Sequence, residues 1–181
     1  GADPSQKKQK LQEADVMIRR RAQAGAKVIV VSTEKTDLAG HQNAILLQVK
    51  AGTDAALLAG LMNAVLAEGA SPSAKGLDAL KKALVSVDDA ASTAGVAAEQ
   101  ITVAAKAYAA AKNPVVVIGT GVSMNEDASL QALNLAAVKN AGVMALLLEA
   151  NGLGVVSAGC LPDLGAGFAK IKKTGKGYGE M

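Results

Sequence analysis

The sequence predicts a three-layer α/β fold, a mostly parallel sheet with helices on both faces. Short β-branched or aliphatic runs, "AKVIVVST" (26–33), "AILLQV" (44–49), "PVVVIG" (114–119) and "VMALLLE" (143–149), are separated by helical segments, the pattern of strand-helix-strand crossovers. These runs are apolar almost throughout, as strands buried on both faces are. Half of the 181 residues are hydrophobic, yet there are only one Phe, two Tyr and no Trp. Ala, Leu and Val must therefore build the core, and small side chains suit helices packed closely on a sheet.

The elements follow in order. Residues 10–24 read as a helix, with Leu11, Ala14, Ile18 and Ala22 at helical spacing and Gly25 in the stop position. Strand 26–33 completes an αβ unit. Strand 44–49 leads into a helix over 51–69, with Thr53 as its N-cap, Asp54 in its positively polarised first turn, and Leu58, Leu61, Met62 and Val65 as its apolar stripe. From 70 to 112 the pattern is helical only, with segments at 73–84, 87–93 and 97–112, and these pack over one edge of the sheet. Strand 114–119, a helix over 125–141 capped by Asn125 and stopped by Gly142, and strand 143–149 form a right-handed parallel crossover. The last thirty residues hold many glycines and no long periodic segment, which predicts an ordered loop and a frayed tail. Four strands and about six helices in this order describe a Rossmann-like domain of nucleotide-binding type.

Composition removes several function classes. The formal charge of +3 comes largely from the ends, "QKKQK" (6–10) and "KIKKTGKGYG" (170–179), and the aromatics are too few for single-strand stacking platforms, so no nucleic-acid partner is expected. Cys160 is the only cysteine, which excludes an internal disulfide and a four-cysteine cluster held by this chain. His41 is the sole histidine, which weakens zinc, and with no Gly-x-Ser-x-Gly elbow it leaves nucleophilic catalysis without a base. Cys160 reads as a small buried hydrophobe and His41 as a solvated turn residue. The longest apolar run, "VMALLL" (143–148), is far shorter than the ~20 residues a membrane span needs, and no signal-peptide pattern opens the sequence. A soluble cytoplasmic protein without direct membrane insertion is expected.

Three stretches could touch a ligand, each with a plain alternative. In "NPVVVIGTGVS" (113–123), Gly119 and Gly121 could let backbone amides and the following helix face an anion, or serve only as a strand-to-helix turn needing a positive φ. The dinucleotide fingerprint is incomplete, because its sixth position is Met124, and Glu126 and Asp127 in the next turn would repel a phosphate. In "VSTEKT" (31–36), Ser32, Thr33 and Thr36 stand at a strand's carboxyl end, where ligands of open α/β sheets bind, or form an ordinary polar turn. In "AGTDAAL" (51–57), the amides of Gly52 and Thr53 could meet a ligand, or Thr53 could simply cap its helix.

Taken in order, "GADPS" (1–5), the segment 20–66, "AAKAYAAAKNPVVVIGTGVS" (104–123) and "ANGLGVVSAGCLPDLGAG" (150–167) resemble the molybdopterin oxidoreductase superfamily, the last block looking most like the large iron-sulfur subunit of NADH:quinone oxidoreductase. NAD-linked formate dehydrogenases are close relatives of that branch. The resemblance covers most of residues 1–168 apart from a helical insert at about 70–96, and leaves 169–181 as a basic, Gly-rich tail. In active members the segments matching Ser32–Thr36 and Gly52–Asp54 help hold the guanine nucleotide of a molybdopterin cofactor. Here Ser32-Thr33-Glu34 stands where the family has Asp-Pro-Arg, Ala51 where it has Pro, and Met124-Asn125 where Gln-His can follow the glycine turn. The resemblance thus implies a scaffold and subunit-contact domain without a cofactor, part of an NADH dehydrogenase acting on quinone rather than a catalyst itself. It implies other subunits of a respiratory complex as partners, attachment at the periphery of the inner membrane through them, and homo-oligomerisation of the fragment as a further option. "GADP" normally follows a strand these residues do not include, so a fragment of a longer subunit is expected, with iron-sulfur clusters in the missing N-terminal region. The alternatives are the nucleotide-binding domain of a molybdopterin guanine dinucleotide-dependent enzyme such as formate dehydrogenase, with Ser32, Thr53, Asp54 and Gly121 lining one groove, and a free-standing nucleotide-binding module.

Overall fold

The computed structural model describes residues 12–70, 76–146, 151–160 and 165–169. The chain divides into two compact units, Gly1–Leu146 and Leu147–Met181. The first is mixed α/β, in the order α1 (Gln12–Gln23), β1 (Val28–Ser32), β2 (Ala44–Gln48), α2 (Asp54–Ala67), α3 (Leu77–Ala83), α4 (Val87–Ala94), α5 (Ala98–Ala110), β3 (Val115–Ile118), α6 (Thr120–Ser123), α7 (Glu126–Val138) and β4 (Gly142–Ala145). A 3-10 turn, Leu38–Gly40, links β1 to β2. The second unit holds α8 (Gly152–Ser157) and a 3-10 turn at Ala166–Phe168. Among the described residues no helix is long and apolar enough to cross a membrane.

Among the described residues all strand pairing is parallel, as the apolar runs predict, but the ladder is in two pieces: β1 pairs with β2 and β3 with β4. Register runs from Val28 opposite Ala44 to Ser32 opposite Gln48, and from Val115 opposite Gly142 to Ile118 opposite Ala145. The expected strand 143–149 is therefore a four-residue strand, and positions 147–150 lie outside the described residues. The expected tail after 169 lies outside them as well.

One apolar cluster serves both pairs. Leu47, with Ile29, Val31 and Ile45 beside it, and Ile118, with Val116, pack against α2, α5 and α7. Helix α2 lies at its centre with Leu57, Leu58, Leu61, Met62 and Val65 buried; it is apolar all round, as a helix enclosed by other elements must be. Its Gly60 is required by close approach, since a Cβ there would run into the Ala90 Cβ on α4. Alternation along β1 turns Val30 to the opposite face, where it is buried apart from that cluster, as are Ala22 of α1 and Leu38. The Asn43 side-chain amide donates to the Ala22 carbonyl at 2.8 Å and fixes the end of α1 beside β2. The same face of β3–β4 is open: Val115 is 57% exposed and Met144 44%.

Helix ends show the local chemistry. Ser86 caps α4 by accepting from the Asp89 N–H at 3.1 Å, and Asn125 caps α7 by accepting from the Ala128 N–H at 3.0 Å. Gly25 stops α1 at φ +98°, as expected, whereas the left-handed residue after α7 is Asn140 (φ +50°) and Gly142 already belongs to β4. Buried Tyr108 of α5 donates its hydroxyl to the Leu135 carbonyl of α7 at 3.1 Å, joining the helices on either side of α2.

Candidate functional site

The carboxyl end of the β1–β2 pair gathers most of the sequence-derived candidates. Ser32 is the last residue of β1, 8% exposed, and its carbonyl accepts from the Val49 N–H at 2.9 Å. Its hydroxyl oxygen accepts from the Glu34 N–H at 3.2 Å. Thr33 is exposed, and its carbonyl accepts from the Gln48 side-chain amide at 3.1 Å. Thr36, 9% exposed, accepts from the Ala39 N–H at 3.3 Å through its hydroxyl oxygen and so shapes the 3-10 turn. These are serine-threonine turns, in which the hydroxyl replaces a backbone carbonyl.

On the β2 side, Gly52 adopts φ +80°, a left-handed turn that favours glycine. Thr53 occupies the N-cap position of α2, but makes no side-chain cap there. Its hydroxyl instead donates backwards to the Lys50 carbonyl at 2.7 Å, so the expected capping role is corrected. Extended ψ at an N-cap swings the hydroxyl over the first turn; Thr53 has ψ 9°, which points it at the preceding turn. Asp54 follows in the first turn of α2.

Gly119 and Gly121 end the other strand pair. Gly119 is extended (φ −83°, ψ 166°) and Gly121 lies within α6, a single helical turn. Neither has a positive φ, so the expectation that the turn needs glycine for backbone freedom is corrected. The helix at Glu126 does not open directly on these glycines either: α6 intervenes, held by a 2.8 Å bond from the Ser129 hydroxyl to the Val122 carbonyl. The structure thus brings Ser32, Thr33, Thr36, Gly52, Thr53 and Asp54 to the end of one strand pair and Gly119 and Gly121 to the end of the other. Among the described residues no hydrogen bond links the two groups.

The concave feature nearby is a shallow cleft of about 450 Å³ lined by Gln48, Lys50, Gly95 and Gln100 with Leu46, Val49 and Ala94. The Lys50 N–H donates to the Ala94 carbonyl at 2.9 Å. None of the sequence-derived candidates lines this cleft, and its one signal was a lysine directly after a strand. Among the described residues no group of three or more His, Cys, Asp and Glu could hold a metal ion. His41 is a turn residue whose Nδ1 accepts from the Asn43 N–H at 3.4 Å. Cys160 is exposed, which corrects its reading as a buried hydrophobe. Burial raises the Tyr108 pKa to about 12, a packing effect at a residue that joins two helices.

A molybdopterin guanine dinucleotide would need donors free to reach its phosphates and ribose. The hydroxyl oxygens of Ser32 and Thr36 shape their own turns, the Thr53 hydroxyl is spent on Lys50, and Asn125 already caps α7, with Glu126 and Asp127 in its first turn. Of these hydroxyls only that of Thr53 donates within its own turn, while those of Ser32 and Thr36 act there as acceptors.

No protein-family profile matches the sequence, and no curated protein matches it. Among solved structures, acetylene hydratase from Pelobacter acetylenicus superposes with a TM-score of 0.68 at 22% identity, over 75% of this chain and 20% of that one. The chain therefore spans about a fifth of the length of acetylene hydratase. At this identity the likeness shows the fold alone, a Rossmann-like α/β domain.

Proposed function

We propose that the chain is a scaffold and subunit-contact domain, carrying no cofactor of its own, within the large iron-sulfur subunit of a respiratory NADH:quinone oxidoreductase. The observation that carries the reading is the local engagement of the candidate hydroxyls: Ser32 with Glu34, Thr36 with Ala39 and Thr53 with Lys50. A fold shared with one part of a much longer enzyme chain, joined to a candidate site whose polar groups serve their own turns, is what a retained domain without its ligand looks like. The open β3–β4 face, with Val115 and Met144 exposed, gives such a domain apolar surface to contribute to a larger assembly. Iron-sulfur clusters would belong to other parts of the polypeptide.

Fractionation of membranes from the source cells tests this. The longer polypeptide should co-migrate with NADH:quinone oxidoreductase activity through detergent extraction and sizing. Recovery as a separate soluble enzyme, such as a formate dehydrogenase, would overturn the reading.

A further inference from the structure

In a parallel ladder each strand presents alternate residues to its two edges. Val28 donates to the Asn43 carbonyl and Val49 donates to the Ser32 carbonyl, so the odd-numbered residues along β2 face β1. The even-numbered row faces away from it. In that row the Lys50 N–H is taken by the carbonyl of Ala94, the last residue of α4, at 2.9 Å. The N–H and C=O groups of Leu46 and Gln48 have no partner among the described residues. The cleft of about 450 Å³ follows this row: Leu46, Gln48 and Lys50 line it together with Ala94, Gly95 and Gln100, from the end of α4 and the start of α5.

An uncovered strand edge is a template for another strand, and proteins blunt such edges with proline, a bulge or a charged side chain laid across them. Strand β2, Ala-Ile-Leu-Leu-Gln, has no proline and no charge, and its register with β1 is unbroken. The Gln48 side chain is turned back to the Thr33 carbonyl, which it reaches at 3.1 Å. The stem of Lys50 runs along Gly95 at the end of the row: a Cβ on Gly95 would lie 2.8 Å from the Lys50 Cε and 3.4 Å from its Cγ. Neither side chain therefore protects the edge.

We propose that the β2 edge docks an extended, acidic segment of a partner protein, whose backbone pairs with Leu46 and Gln48 and whose carboxylate meets the Lys50 ammonium. Main-chain bonds supply the affinity of such strand addition, and side-chain contacts its selectivity. Charge selects an acidic segment: Lys50 has no acidic partner among the described residues, and no carboxylate is among the residues that line the cleft. Shape selects a single chain, because Ala94, Gly95 and Gln100 border the edge where the flat sheet of a second copy would have to approach. The inference rests on the pairing of β2 and holds whichever enzyme the polypeptide belongs to.

An eight-residue peptide of alternating Val and Glu, added to the full-length protein, tests it by residue-resolved amide exchange. The N–H groups of Leu46 and Gln48 should exchange at least tenfold more slowly in its presence. N-methylation of one alternate set of peptide amides should abolish binding, and methylation of the other set should leave it within threefold. Replacing the Glu residues of the peptide by Gln, or Lys50→Gln in the protein, should weaken binding about threefold, and Lys50→Glu about tenfold. No binding at millimolar peptide, binding without protection of Leu46 and Gln48, or equal effects of the two methylated sets would overturn the proposal. So would equal affinity for the Gln peptide, the same protection from glutamate alone, or protection without peptide that fades on dilution, which would assign the edge to a second copy.

Discussion

Gly60 gives the sharpest test of the packing, because two known effects of one substitution have opposite signs. Gly60→Ala should favour helix α2 by about 1 kcal/mol on propensity alone. The added Cβ, however, meets the Ala90 Cβ, with the Ser86 carbonyl oxygen 3.5 Å away and the Ala90 Cα 3.7 Å away. Both Gly60 and Ala90 are buried, so relief requires α2 and α4 to part, and overpacking of a core contact costs about 1–3 kcal/mol. The contact is backbone-proximal on both sides, which places the strain at the upper end and leaves a net loss of about 1–2 kcal/mol. For a chain of this size that lowers the melting temperature by roughly 2–8 °C. Ala90→Gly should partly rescue Gly60→Ala, with a favourable coupling of about 1 kcal/mol in a double-mutant cycle. Urea melts of the four proteins measure it. A Gly60→Ala protein as stable as the parent, or a coupling near zero, would refute the α2–α4 contact.

Tyr108→Phe removes the bond to the Leu135 carbonyl and should cost about 1–2 kcal/mol in urea melts, since the carbonyl is left buried without its donor. The folded-state pKa of about 12 lies above the ordinary value of 10.0, so the Tyr108 contribution is complete below pH 10 and is lost as pH rises towards 12, a dependence that Tyr108→Phe should remove. Ser86→Ala and Asn125→Ala each delete a formed cap and should each cost about 1 kcal/mol, whereas Thr53→Ala, which deletes none, should cost clearly less. Cys160 should react with a thiol reagent in the native protein without denaturant; a need for unfolding before reaction would contradict its exposure. Guanine nucleotides at millimolar concentration should leave the melting temperature unchanged, because only a ligand that binds the folded state raises it.

What the sequence made legible was local. The strands β1, β2 and β3 could be read because each is a short apolar run bounded by Gly, Pro or polar turns, and α7 because Asn125 precedes a periodic segment. The single turn α6 escaped because four residues are too few to show a helical period, and α8 because Gly152 and Gly154 hide it. The division of the sheet was illegible for a different reason: pairing is decided between segments far apart in the chain. At the candidate site the residue types were visible, but Thr53 looks the same in sequence whether its hydroxyl turns forward over α2 or back to Lys50. The structure shows it turned back to the Lys50 carbonyl.

The proposed scaffold role predicts that the domain holds no molybdopterin of its own. Elemental analysis of the purified longer polypeptide for molybdenum and tungsten tests this most directly. Neither metal should be present in stoichiometric amount; one atom of either per chain would contradict the proposed role.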